Sequence, residues 1–394
     1  MEISKITDHL YNRNYKNTQF SDSTGNHVNK KSILSENAYE KNNWTVMFYF
    51  AGDNDLKEYM IKDMNELESV GPFDRSNFIA MFDQGKTNCK LYEIKKDNDP
   101  DKITSAVLKK MGDTDMSDPK ILTDFIKFSM KKYPAEHYAL VVSDHGGAWT
   151  GAIQDKAPFD WMSMKELKDS IENARKESGN KIDVLAFDAC NMANTEVAYE
   201  IKDQVDLIVA SEESLTGDGW DYSKIFSMND LANIKKKENK NIEPEDFSER
   251  IVSTAFEDVK YSTMSAIKTK DIDVLAGKLK EFSKKTIDEK IPPKVLENLL
   301  VETHDTVFER DLGDFLNRFS QSNDIKSSEL KDMAKNISSD MNKIVLFEKH
   351  SAEYQNVTGI TVQLDKIHFS EYKTLDFAKD TGWDKLIDYI DREY

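Results

Sequence analysis

Cys190 and His145 are the two side chains in this sequence whose types and placement suit covalent catalysis at a carbonyl. A thiolate is a strong nucleophile, and an imidazole can hold the thiol proton and return it to a leaving amine. Backbone N–H groups can stabilise the oxyanion formed in between. Cys190 closes the apolar run Val184-Leu-Ala-Phe-Asp-Ala-Cys190, and Tyr138-Ala-Leu-Val-Val-Ser143 runs into Asp144-His145-Gly146-Gly147. Each run has the length of a buried strand, so both side chains are expected just beyond strand ends, where open parallel sheets gather their functional groups. The N–H groups of Gly146 and of Cys190 itself are the candidate oxyanion donors, and the glycine lets backbone approach a substrate closely. Singly, a strand-end cysteine is more often packed than reactive, and a lone histidine more often structural. The pair, 45 residues apart and each after a strand of one α/β unit, is what favours chemistry.

The elements that must hold this pair follow from periodicity. Residues 1–43 are rich in Asn, Lys, Ser and Asp without a sustained period, and are expected to form a polar tail or pro-segment. Trp44-Thr-Val-Met-Phe-Tyr-Phe-Ala51 is apolar on both faces, as a central parallel strand requires, and Gly52-Asp-Asn-Asp55 closes it. Leu56, Tyr59, Met60, Met64 and Leu67 mark a helix stopped by Gly71-Pro72. Phe78–Phe82 then makes a second strand, giving a βαβ unit with a right-handed crossover. Residues 83–88 turn the chain into a strand from Cys89 to Ile94, and residues 95–115 read as a surface excursion. Helical patterns precede both chemical strands, through Ile121, Leu122, Phe125, Ile126 and Met130 and through Met164, Leu167, Ile171 and Ala174. The segment from Ala148 to Trp161 reads as a loop.

Beyond Cys190, Val197, Tyr199 and Ile201 suggest a short helix. The strand Leu207-Ile-Val-Ala210 follows and exits into the acidic, glycine-containing loop Ser211–Trp220. Strands ending near 51, 83, 143, 188 and 210 and alternating with helices are the α/β signature. The charge run Lys235–Lys240 marks an expected boundary between a catalytic α/β domain (44–235) and a mainly helical C-terminal subdomain (236–394). Helical patterns near 246–258, 271–286, 294–303, 311–319 and 328–338 fill the latter. Two late strand candidates, Ile344–Phe347 and Gly359–Gln363, either extend the sheet or form a small one, and a helix near 383–390 closes the chain.

A formal net charge of -18 argues against nucleic acid as the main partner and fits basic partners. The two cysteines, Cys89 and Cys190, are too few for a disulfide framework, and Cys89 is expected to be a buried, idle thiol. The N-terminus lacks the pattern of a signal peptide and no apolar run reaches membrane-spanning length, so the chain as given reads as cytoplasmic and free of membrane, with secretion the alternative. Oligomeric state is left open.

The spacing of His145 and Cys190 is close to that of caspases, whose histidine precedes the cysteine by about 50 residues. The caspase cysteine signature is absent, since the chain has Asp188-Ala189-Cys190-Asn191. With the Trp44–Asp55 strand and turn, the Asp144-His-Gly-Gly147 turn and the weaker Asp311-Leu-Gly-Asp314 match, most of residues 44–390 resembles the clostripain-like cysteine peptidases, relatives of caspases and gingipains. The resemblance implies a caspase-like, mostly parallel central sheet flanked by helices, and a cysteine endopeptidase cutting protein or peptide substrates after Arg or Lys. Asp188 matches the family's pocket aspartate two positions before the cysteine, and Asp218 resembles the second pocket acid. A carboxylate there would bind guanidinium or ammonium through charge-assisted hydrogen bonds. Self-cleavage between histidine and cysteine is a further implication, and Lys156-Ala157 is the bond expected to be cut. The chemistry needs no cofactor. Ca²⁺ is a family expectation that the acidic composition permits, with no EF-hand spacing to locate ligands.

Other readings fit less well. A lipase-type oxyanion turn at His145-Gly-Gly147 would need a Gly-x-Ser-x-Gly elbow, which is missing, as are His-Glu-x-x-His, Cys-x-x-Cys, P-loop and dinucleotide fingerprints. The non-enzyme alternative is an inactive peptidase-like module that holds basic peptides in an acidic cleft. The presence of both dyad residues argues against it.

Overall fold

The computed structural model describes residues 41–155, 161–238, 240–256, 259–260, 262–307 and 309–393. Its centre is one nine-stranded sheet. In chain order the strands are β1 (Asn42–Ala51), β2 (Ser76–Asp83), β3 (Cys89–Glu93), β4 (Ala106–Gly112), β5 (Ala135–Ser143), β6 (Ile182–Asp188), β7 (Val205–Ala210), β8 (Thr263–Lys268) and β9 (Val345–His350). Their spatial order is β9-β8-β7-β6-β5-β1-β2-β3-β4. The five strands β7-β6-β5-β1-β2 are mutually parallel, and antiparallel strands extend both edges. This is the expected mostly parallel sheet.

The double-sided apolar runs explain why these strands are central. Trp44, Val46, Phe48 and Phe50 of β1 enter one core layer, and Met47, Tyr49 and Ala51 enter the other. Val184 and Ala186 of β6 divide from Leu185 and Phe187 in the same way. Each large apolar side chain so buried contributes roughly 1.5–3 kcal/mol. Helix α1 (Lys57–Val70) covers the first face with the short helix Tyr222–Phe226 and Pro244–Thr254. Helices α2 (Pro119–Lys132), α3 (Met164–Ser178) and α4 (Thr195–Ile201) cover the second, together with helices of the last third. The helices that deliver β5 and β6 start at well-formed caps: Asp118 accepts from the Lys120 N–H at 2.8 Å, and Ser163 and Glu166 form a reciprocal capping box.

Three features differ from or refine the sequence reading. The surface excursion expected at 95–115 contains β4, an edge strand whose Ala-Val-Leu-Lys-Lys-Met-Gly sequence has no buried residue. Its lysines blunt the open edge and also hid the strand. Strands β8 and β9 lie beyond the charge run at 235–240 yet pair with β7 and with each other, so the sheet crosses the boundary expected there. Of the late candidates, the first became β9, and Thr361–Val362 of the second pairs with Arg310–Asp311 in a separate two-stranded sheet.

The segment after Cys190 is tied to the C-terminal region. Thr195 Oγ1 donates to Thr361 O at 2.7 Å, and Glu196 Oε1 accepts from the Gln363 N–H at 3.0 Å and the Tyr372 hydroxyl at 2.7 Å. Burial pushes the Glu196 carboxyl up to about 7, against those hydrogen bonds. Because the folded-state value is raised, this group's stabilisation is complete below the unfolded value near pH 4 and is lost as pH rises through about 7. Thermal melting followed by circular dichroism therefore has a defined outcome. The melting temperature of Glu196→Gln minus that of wild type should become more positive from pH 5 to pH 8, and a difference that falls over this range would contradict the assignment.

Candidate active site

Register brings the two chemical turns together. In the parallel pairing of β5 with β6, Ser143 lies opposite Asp188, so His145 and Cys190 each stand two residues past the last paired row. The Asp144 N–H reaches the Asp188 carbonyl at 3.3 Å, continuing the ladder into the turns. Gly146 then packs so closely that an added Cβ would lie 2.4 Å from the Cys190 carbonyl oxygen and 3.1 Å from the Cys190 nitrogen. Only glycine fits this crossing. His145, Cys190 and Asp188 line one cavity of about 270 Å³, which also includes Asp55, Tyr59 and Asp63. Gly146 itself borders a second cavity, of about 980 Å³, with Gly147, Trp149 and Gln363.

The turn after β1 braces the histidine. Its Nε2 lies 2.8 Å from Asp55 Oδ1, and that bond holds the Asp55 carboxyl below its ordinary value. One residue earlier, Asn54 donates to Asp144 Oδ1 at 2.7 Å and to the Ala51 carbonyl at 3.0 Å. Asp144 Oδ2 accepts from the Gln154 N–H at 2.5 Å. Asp144 is fully buried, and desolvation raises its carboxyl well above the usual range. Sequence reasoning took Gly52–Asp55 only as a turn. The available signal was its position beyond the end of a central strand, beside the two chemical turns. Three of the eight non-glycine residues at positive φ among the described residues lie here, Ala148, Ile153 and Asn191 at φ 51°, 63° and 61°. Asparagine tolerates that region, whereas a β-branched isoleucine does so only when its surroundings hold it. Asn191 is further fixed through its side-chain amide, which donates to the Glu212 carbonyl at 2.8 Å.

The Cys190 thiol is half-buried and accepts the Leu215 N–H at 3.2 Å. Burial pushes the thiol up, outweighing that hydrogen bond, so the resting side chain at neutral pH is the thiol and attack requires a base. Cys89 is unbridged, buried in β3 and pushed up to about 12 by burial, as an idle thiol would be.

Asp188, also buried, is gripped at Oδ2 by the Tyr222 hydroxyl at 3.0 Å, the Ser143 hydroxyl at 3.4 Å and the Trp220 N–H at 3.5 Å. Burial pushes its carboxyl up to about 7 despite these donors. Gly219, at φ 56°, lets the loop close over it, because a Cβ there would sit 2.8 Å from Asp188 Oδ2. Asp218 is placed differently from Asp188. Its side chain is 69% exposed and 3.5 Å from Lys62 Nζ, although Gly217 and Gly219 on either side line the cavity. Besides Asp188, the cavity is lined by Asp55, Asp144 and Asp63 of α1; Asp55 and Asp144 serve the histidine turn, and Asp63 is the acid that the sequence reading missed. Its signal was an acid at the inward spacing of Met60, Met64 and Leu67.

The clostripain family model matches residues 48–390, nearly the whole described chain. The chain belongs to the clostripain family. A curated relative, clostripain of Hathewaya histolytica, is 28% identical over 225 residues, which cover 46% of this chain and 41% of that protein. The match thus spans less than half of the relative. Among solved structures, the secreted C11 cysteine protease "iotapain" of Bacteroides thetaiotaomicron has a TM-score of 0.65 at 18% identity, covering 86% of this chain and 99% of that one. An inactive zymogen C11 protease from Parabacteroides distasonis has a TM-score of 0.59 at 22% identity, covering 86% and 97%. These likenesses support the fold of this clostripain-family chain.

Other family expectations meet the structure unevenly. Lys156-Ala157 lies outside the described residues. No helix among the described residues is long and apolar enough to cross a membrane. For Ca²⁺, no group of three or more His, Cys, Asp or Glu converges as a ligand set among the described residues. The buried Asp311 is already used by the Asp314 N–H and by Thr358. The described donors do not fit that ion.

Two outcomes test this geometry in the clostripain-family chain. Alkylation of Cys190 by iodoacetamide should keep accelerating above pH 8, as a raised thiol value requires, whereas a plateau below pH 7 would show a preformed thiolate. Gly146→Ala should slow alkylation by a substrate-like peptidyl reagent by roughly 10²-fold, since displacing a reacting group by about 1 Å has that effect. An unchanged rate would mean that the turn contact is dispensable.

Proposed function

We propose that this chain is a cysteine endopeptidase that cleaves peptide bonds after Arg or Lys. The observation that carries the reading is the sharing of one cavity by a thiol, an imidazole and a buried carboxylate, Cys190, His145 and Asp188. Cys190 Sγ attacks the scissile carbonyl carbon while His145 takes the thiol proton. Asp55 occupies Nε2, which leaves Nδ1 for that proton. The oxyanion is received by the N–H groups of Gly146 and Cys190. The C–N bond then breaks, the departing amine takes the proton from His145, and an acyl-thioester remains on Cys190. Water attacks the thioester, His145 receives and returns its proton, and the acid product leaves with the thiol restored.

Asp188 takes the basic side chain at Oδ1, the oxygen that Tyr222, Ser143 and Trp220 do not use. Asp218, within reach of Lys62 at the edge of the same loop, is assigned as an outer acid. The larger cavity beside Gly146 is assigned to residues beyond the scissile bond. Activation by cutting after Lys156 accords with a zymogen among the structural neighbours, and two neighbours described as secreted support the secreted alternative.

Hydrolysis of short Arg- and Lys-ended reporter amides under reducing conditions tests the assignment. Cys190→Ala and His145→Ala should each lose roughly 10³-fold or more. Turnover retained in Cys190→Ala removes the nucleophile, and no turnover in processed wild type favours the peptide-binding module. Intact mass after incubation should show a cut after Lys156 in wild type. The same cut in purified Cys190→Ala without added protease would sink self-cleavage.

A further inference from the structure

The cavity is lined by more buried acid groups than the fold pairs with cations. Asp63 projects from α1 into the cavity that Asp188 lines, is 2% exposed, and its Oδ1 has no hydrogen-bond partner. The nearby cation, Lys62, points elsewhere, more than half exposed and 3.6 and 3.5 Å from Glu66 and Asp218. Other groups facing the pair are Glu66 on α1, the Tyr222 hydroxyl from its short helix, Asp218 on the covering loop, Cys190 just past the end of β6, Tyr59, and His145 with Asp55 and the buried Asp144 at the cavity wall. Among these, Tyr222 donates to Asp188 and Glu66 accepts the Tyr222 N–H at 2.9 Å. Lys62 alone acts on Asp63 with opposite charge, and burial together with Asp188 and Glu66 outweighs it.

We propose that Asp63 is a second carboxylate of the specificity pocket, and that a cationic substrate side chain binds there by displacing a proton that Asp63 and Asp188 hold between them when the pocket is empty. The proposal rests on the reading of Asp188 as the site for a basic side chain. Two desolvated carboxylates in one cavity cannot both ionise without a counter-ion, so the empty pocket keeps a proton. Burial, then Asp188, push the Asp63 carboxyl up to about 10, in keeping with this. An arriving guanidinium or ammonium supplies the missing positive charge, and the proton leaves to solvent. A neutral side chain brings no such compensation and leaves the protonated pair as it was. Selection for a basic residue would thus strengthen as pH rises.

Benzamidine, a cation at all pH values used, and neutral benzamide of similar shape separate the elements of this account. Full-length Cys190→Ala protein removes the thiol as a source of protons. Calorimetric titration at pH 7 in buffers of different ionisation heat should show release of about one proton with benzamidine and none with benzamide. Benzamidine affinity should rise up to about tenfold per pH unit between pH 6 and 8. In the added, near-isosteric Asp63→Asn change only the share of Asp188, whose carboxyl stands at about 7, remains, so proton release at pH 7 should fall to about half and the pH slope should fade towards pH 8. A pH-independent affinity in the parent, or the same release and slope in Asp63→Asn, overturns the proposal. If Asp188→Asn abolishes benzamidine binding while Asp63→Asn behaves as the parent, Asp63 alone is misassigned. If Asp188→Asn binds like the parent, or the parent does not bind benzamidine, the pocket reading falls as well.

Discussion

The parallel register of β5 on β6 is the constraint on which the site depends. With Ser143 opposite Asp188, the two strands end in the same row and release their turns side by side. A shift of one residue would turn every following side chain to the other face of the sheet and separate the imidazole from the thiol. The register is held by the division of both strands between two apolar layers, where any slip would bury the wrong set. Gly146 converts this alignment into backbone contact, because no side chain intervenes between its turn and that of Cys190.

Around this junction the protein accumulates groups that are costly in isolation. Asp144, Asp188 and Asp63 are buried, and Ala148, Ile153 and Asn191 hold left-handed backbone. Asp144 is supported by Asn54 and the Gln154 N–H, so it acts as a brace for the turn that carries His145. Asp188 has donors on one oxygen only, and Asp63 has an oxygen without a partner. An oxygen without a partner does not by itself mark a pocket acid, since Glu196 has one too; it is the cavity shared with Cys190 that suits Asp188 and Asp63 to receive a cation. In the proposed reading Asp144 is the supporting carboxylate, and Asp188 and Asp63 are the ones that receive the substrate's cation.

Much of this was legible in the sequence because strand-length apolar runs, followed at once by His145 and Cys190, leave little choice about where those residues lie. The alternation of strands and helices likewise gave the parallel centre of the sheet. Asp63 escaped notice because one acid in an amphipathic helix is read as solvated, even at the inward spacing of Met60, Met64 and Leu67. The environment of Asp218 depends on a long-range approach of Lys62 that no local pattern carries. Asn54 and Asp55 looked like ordinary turn residues, since turn chemistry alone accounts for their types. Strand β4 was concealed by its lysines, which suit an exposed edge.

The central claim is that His145 activates Cys190 in a cavity that selects a basic side chain. Labelling with a lysine-ended peptidyl chloromethyl ketone, followed by mass spectrometry of the digested protein, tests it most directly. The account predicts a single adduct on Cys190, formed roughly 10²-fold more slowly or worse in His145→Ala. An adduct on Cys89, or equal labelling rates with and without the histidine, would contradict it.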